Sequence, residues 1–146
     1  MKLFIIAACL ASSAAYASPV IVAEATVFTA FSPRPCHSEE LRVLASGEVI
    51  HTECEQDPRL VAKLEQSSLD KIIELGSSLE PKQLVAQTPG PSCMDAPSTT
   101  YSVINANGVS VDVGGEWGCK KVVHPSRSYR PEFLVEILAG LLKLSR

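Results

Sequence analysis

"CMDAPSTTYSVINANGVSVDVGGEWGC", residues 93–119, decides how this chain is read. A cysteine stands at each end, Asn107-Gly108 lies in the middle, and apolar residues alternate on both sides. Asn-Gly is a strong short-range hairpin signal, because both residues accept positive φ in a two-residue turn. Such a turn sets Ile104 opposite Val111, Ala106 opposite Val109 and Ser102 opposite Val113, with Tyr101, Val103 and Asp112 on the other face. Cys119 then lies opposite residue 96, three places from Cys93.

The same pattern occurs earlier. "ELRVLA" (40–45) and "EVIHTE" (48–53) flank Ser46-Gly47, and a two-residue turn there pairs Val43 with Ile50 and Leu44 with Val49. Cys54 falls opposite residue 39, three places from Cys36. Each hairpin has its own two cysteines at its open end, so the expected disulfides are Cys36 with Cys54 and Cys93 with Cys119. Each closes a loop worth about 3 kcal/mol in the chain-entropy account.

Around the hairpins, "PVIVAEATVFTAF" (19–31) is rich in Val, Ile, Thr and Phe and reads as a leading strand, ended by the prolines of "SPRPCH". "SSLDKIIEL" (67–75) predicts a helix with Ser67 as N-cap, Leu69, Ile72 and Ile73 on one face and Gly76 as its stop. "RPEFLVEILAGLLKL" (130–144) predicts a second, with Pro131 in the first turn and a stripe of Phe133, Leu134, Ile137, Leu138 and Leu141. Residues 59–65 are readable as strand or helix, and their alternation leans to strand. The expected class is α+β: an antiparallel sheet of a leading strand and two disulfide-stapled hairpins, each followed by a helix packed on one face.

The first 17 residues have the grammar of an export signal: Lys2, an apolar run from Leu3, and Ala15-Tyr16-Ala17 before the expected cut. Residues 18–146 are then one secreted or periplasmic domain. A lipobox-like Ile6-Ala7-Ala8-Cys9 offers anchoring at Cys9 as the minor alternative, but it leaves an apolar core of only six residues, Leu3 to Ala8. No stretch reaches the roughly 20 apolar residues of a membrane span. The net charge of −3 disfavours nucleic acid, whose binding rests on Lys and Arg against phosphate. Metal is disfavoured by the absence of any C-x-x-C pair, and no cofactor motif occurs.

Catalytic signals are thin. His51 falls opposite Arg42 and reads as a surface histidine, and "DVGGE" could aim Asp112 and Glu116 at a cation but reads more simply as a strand end before a glycine bend. "KKVVHPSRSYR" (120–130) gathers Lys120, Lys121, Arg127 and Arg130 beside His124 and Tyr129, and reads as a solvated connection or an anion-receiving patch. "TPGPSCMDAP" (88–97) is the favoured binding loop, because Pro and Gly stiffen it and Cys93 tethers it. Its candidate contacts are Pro91, Met94 and Asp95, joined by Trp117 next to Cys119.

The order strand, hairpin, helix, hairpin, helix, with "GPSCMDAPSTTYSVINANG" entering the second hairpin, resembles small bacterial metalloprotease-inhibitor modules of the emfourin type over most of residues 40–144. Two cysteine pairs bracketing a helix, with Met94, Asp95 and Pro97 before a strand, resemble the secreted subtilisin-inhibitor family. That resemblance implies a protease-cut position at Met94, although Met94 follows its cysteine directly instead of two places later, and a final helix is added. The expectation is a non-enzymatic, monomeric exported domain that binds a protein, an exported protease in particular, through the 88–97 loop. The alternatives are a small secreted hydrolase using His51 or His124 with a carboxylate, and a structural envelope protein.

Overall fold

A computed structural model describes residues 19–29, 37–54, 56–87, 91, 93, 95–127 and 130–146. The leading strand is β1 (Ile21–Phe28). It is followed by β2 (Ser38–Leu44), β3 (Glu48–Glu53), β4 (Arg59–Lys63) and helix α1 (Gln66–Ser77). The short β5 (Val85–Ala86), then β6 (Ser98–Ile104), β7 (Ser110–Trp117), β8 (Lys120–Val123) and helix α2 (Pro131–Ser145) complete the chain. All strands join one antiparallel sheet in the order β4-β3-β2-β1-β6-β7-β8-β5. β1 is the seam between two three-stranded meanders.

This corrects the expected architecture while keeping the α+β class. The two units are meanders, not hairpins, and neither helix packs on a hairpin of its own. α1 lies against β1 and β6, whereas α2 runs over β7, β6 and β1 to reach β4, and the helices touch each other. The cause is visible in β1, where Ala23 and Ala25 are fully buried at the centre of the sheet. Their small side chains leave room for both helices over one shared core of Leu41, Val43, Val49, Val103 and Val111 below and Leu69, Ile72, Leu134 and Leu138 above. Each large side chain buried this way contributes about 1.5–3 kcal/mol. Gly76 is the contact point of α1 rather than its stop, because a Cβ there would sit 3.0 Å from the Val103 side chain. The α1 N-cap is Glu65, not Ser67.

Both predicted registers are off by one residue near the turn. Val43 pairs with Val49 and Leu41 with His51, and in the second hairpin Val103 pairs with Val111 and Ile104 with Ser110. Gly47 and Gly108 have φ of 83° and 73°, and their N–H groups donate to Leu44 O and Asn105 O at 2.9 Å. Each glycine is therefore the left-handed residue that closes a longer loop, the alternative to a two-residue turn. A one-residue slip exchanges the faces of a strand, so His51, opposite Leu41, is buried instead of standing at the surface.

The second pair of expected staples is present: Cys93 and Cys119 are bonded, with Cα atoms 5.5 Å apart. Cys54 is also disulfide-bonded; its expected partner Cys36 lies outside the described residues, as do Cys9 and the export signal. Among the described residues no helix is long and apolar enough to cross a membrane.

Candidate functional site

Three places collect the residues singled out by sequence. The first is the stapled edge. β7 and β8 are joined by Gly118 and Cys119, both at positive φ (53° and 64°), as a tight two-residue hairpin turn requires. A non-glycine residue held there costs of order 1 kcal/mol, which the disulfide to Cys93 helps to hold. The Cys93 N–H donates to Gly118 O at 2.8 Å, so Cys93 is fixed to this turn by two bonds. Trp117 stands next to it, 41% exposed, with its indole N–H donating to Thr100 Oγ1 at 3.2 Å. Pro91 and Asp95 are exposed; Met94 lies outside the described residues. Phe28, on the same helix-free face of the sheet as Trp117, is 51% exposed.

The second place is buried. His51 Nδ1 accepts from Arg59 Nε and Nη2 at 3.3 and 3.2 Å, which leaves its Nε2–H to donate to Glu39 Oε1 at 2.8 Å. Arg146 forks onto the same carboxylate at 2.9–3.2 Å, and Arg59 also donates to Ser145 O at 3.0 Å. Burial pushes the Glu39 carboxyl up, but the hydrogen bonds from Arg146 and His51 and their charges outweigh it and hold the group below its ordinary value. His124 is equally occupied: Nδ1 accepts from Ser126 N–H at 3.2 Å and Nε2 donates to Glu80 O at 2.9 Å. Neither ring has a nitrogen left for a substrate. Their work is to tie the end of α2 to β2, β3 and β4, and the end of β8 to the segment after α1.

The third place is an open cleft of about 420 Å³ between α2 and strands β6, β7 and β8. Tyr101, Glu116, Lys121, Val122 and Val123 line its sheet side, and Glu132, Val135, Glu136, Ala139 and Lys143 its helix side. Burial pushes the Tyr101 phenol above its ordinary range, with Arg146 opposing and Glu116 reinforcing the shift. A bulge makes this arrangement: between Tyr101 and Ser102 the β6–β7 register shifts, so Asp112 pairs with Ser102 while Gly114 pairs with Tyr101. The extra residue reverses the alternation, and Asp112 and Glu116 face opposite sides of the sheet. They form no cation site together, and Asp112 instead accepts from Ser102 Oγ at 2.8 Å.

No family model, curated protein or solved structure matches the chain. Of the basic stretch, Lys121 enters the cleft while Arg127 and Arg130 are exposed elsewhere, and Tyr129 lies outside the described residues. Sequence reasoning missed Tyr101, Glu132, Glu136 and Lys143. The available signal was their spacing on α2, where 132, 136 and 143 share one side of the helix with Val135 and Ala139. Among the described residues no three metal-ligating side chains converge.

Proposed function

We propose that this protein is an exported, non-enzymatic domain that binds another protein through its stapled edge. The observation that carries the reading is the double attachment of Cys93 to the β7–β8 turn beside an exposed tryptophan. A partner meets a segment already anchored at Cys93, so less conformational freedom is lost there on association. Trp is enriched among residues that dominate binding energy, and Trp117 is partly exposed while its N–H is already satisfied. The occupied ring nitrogens of His51 and His124 weigh against the hydrolase alternative.

The partner class we assign is an exported protease, the class that both family resemblances imply, and the contact set is Pro91, Met94, Asp95 and Trp117. Export itself is supported by the leading sequence and by the disulfides, which persist in oxidising compartments. A panel of serine and metalloproteases assayed with the wild type, Trp117→Ala and Met94→Asp tests the assignment. Inhibition of one class, lost in both variants with melting temperature preserved, is the expected result. Inhibition of none by the wild type removes the protease partner; binding to some other exported protein that survives both substitutions removes the stapled edge as the site.

A further inference from the structure

The cleft beside α2 lies on the helix-covered side of the sheet, away from the face that carries Trp117, and its chemistry is different. Glu116 and Lys121 are direct cross-strand partners on its sheet side. Such neighbours stand roughly 4.5–5.5 Å apart at Cβ. No ion pair joins these two, and none links Glu132, Glu136 or Lys143 to any described residue. Opposite charges thus stand side by side, exposed and with no direct contact between them. Next to them the lining turns apolar, through Val122, Val123, Val135 and Ala139, with the half-buried Tyr101 ring among them.

We propose that this cleft binds a free α-amino acid with an apolar side chain. An α-ammonium and an α-carboxylate share one carbon, and the Glu116–Lys121 spacing lets one ligand engage both, the ammonium on Glu116 and the carboxylate on Lys121. The ligand side chain then lies against Val123, Val135 and Ala139. A ligand with only an anion meets Glu116, Glu132 and Glu136 unfavourably, and one with only a cation meets Lys121 and Lys143. A zwitterion is the species that answers both signs at once.

Two features of the fold support a site over a chance gap. The bulge in β7 turns Glu116 into the cleft, whereas a regular strand carries it to the opposite face with Asp112. Gly114 lets α2 approach, because a Cβ there would meet Val135 at 2.6 Å and Val122 O at 2.8 Å. The volume, about 420 Å³, falls in the roughly 300–1,000 Å³ range of small-molecule sites.

The test is an NMR titration of the folded protein with L-leucine, beside isoamylamine, which lacks its carboxylate, and 4-methylpentanoate, which lacks its ammonium. Leucine should give saturable shifts at Tyr101, Glu116, Lys121 and along α2, with a dissociation constant on the order of 1 mM or tighter. Each analogue should bind at least about tenfold more weakly, as expected when one charge-assisted contact is lost. Glu116→Gln and Lys121→Met should weaken leucine similarly while leaving the melting temperature unchanged. Shifts that never saturate, an analogue equal to leucine, or two folded variants that bind leucine normally would each overturn the proposal. Because protease inhibition is read on the opposite face, failure here leaves the stapled-edge reading standing, and the reverse.

Discussion

Arg146 grips the carboxylate of Glu39 through both Nε and Nη2, on the same group that accepts the Nε2–H of His51. Strand β2 is thereby tied to β3 and to the end of α2 through one carboxylate that is mostly withdrawn from water. A charge committed this way makes folding sensitive to acid.

The folded Glu39 carboxyl lies below its ordinary value of 4.5. A depressed carboxyl contributes stability that is fully present above the unfolded value and is lost as pH falls through the folded one. Thermal melts carried down from neutral pH should show the wild type losing stability once pH falls below about 4.5, and Glu39→Gln losing less of it. Parallel curves for the two proteins would assign the acid sensitivity elsewhere.

Replacing His51 by Ala removes one acceptor from Arg59, which keeps Ser145 O, and one donor from Glu39, which keeps Arg146, and it empties a buried position between them. We expect a loss of about 2–4 kcal/mol in denaturant unfolding, the usual range for breaking a buried polar network. His124→Ala should cost about 1–3 kcal/mol by stranding Glu80 O and the Ser126 N–H. Neither change should alter binding at the stapled edge. A loss of inhibition with stability intact would return both histidines to the hydrolase alternative.

Glycines on the two sides of α2 should respond with opposite signs. Gly114→Ala forces a methyl into Val135 and should cost about 1–3 kcal/mol as overpacking. Gly140→Ala meets nothing within 4 Å and should stabilise the protein by about 0.5–1 kcal/mol through helix propensity. Urea midpoints measured for both variants decide the matter.

Removing the Cys93–Cys119 bond by Ser at both positions should lower stability by about 3 kcal/mol, given its separation of 26 residues. The Trp117 environment, followed by fluorescence, should become more exposed as the β7–β8 turn loosens. An unchanged spectrum would mean that the turn holds itself.

Much of the strand content was legible because alternation survives in β2, β3, β6 and β7, and the Cys93–Cys119 partnership followed from it even though the register was off by one. The slip arose because Ser46-Gly47 and Asn107-Gly108 look like two-residue turns, while Gly47 and Gly108 each supply the single left-handed residue of a longer loop. Nothing in local sequence ranks those two geometries firmly, yet the choice decides whether His51 is surface or core. β8 was hidden for a related reason: its turn uses Cys119 in a conformation normally left to Gly, Asn or Asp, so the hairpin signal was absent. The cleft depends on a bulge and on the crossing of α2 over the sheet, both products of long-range packing.

The seam position of β1 bears on how the chain acquires its shape. Its partner β2 follows closely in sequence, but its other neighbour, β6, belongs to the far half of the chain, with Ala23 pairing Val103. A polypeptide emerging from its amino end can assemble β1 to β4 early, and must then hold one edge of β1 unsatisfied until β6 arrives. That interval exposes the Ala23, Ala25 and Val27 row and a line of unpaired amides to any neighbouring chain. Slow synthesis or crowding should penalise yield at that stage, well before the stability of the finished fold comes into play.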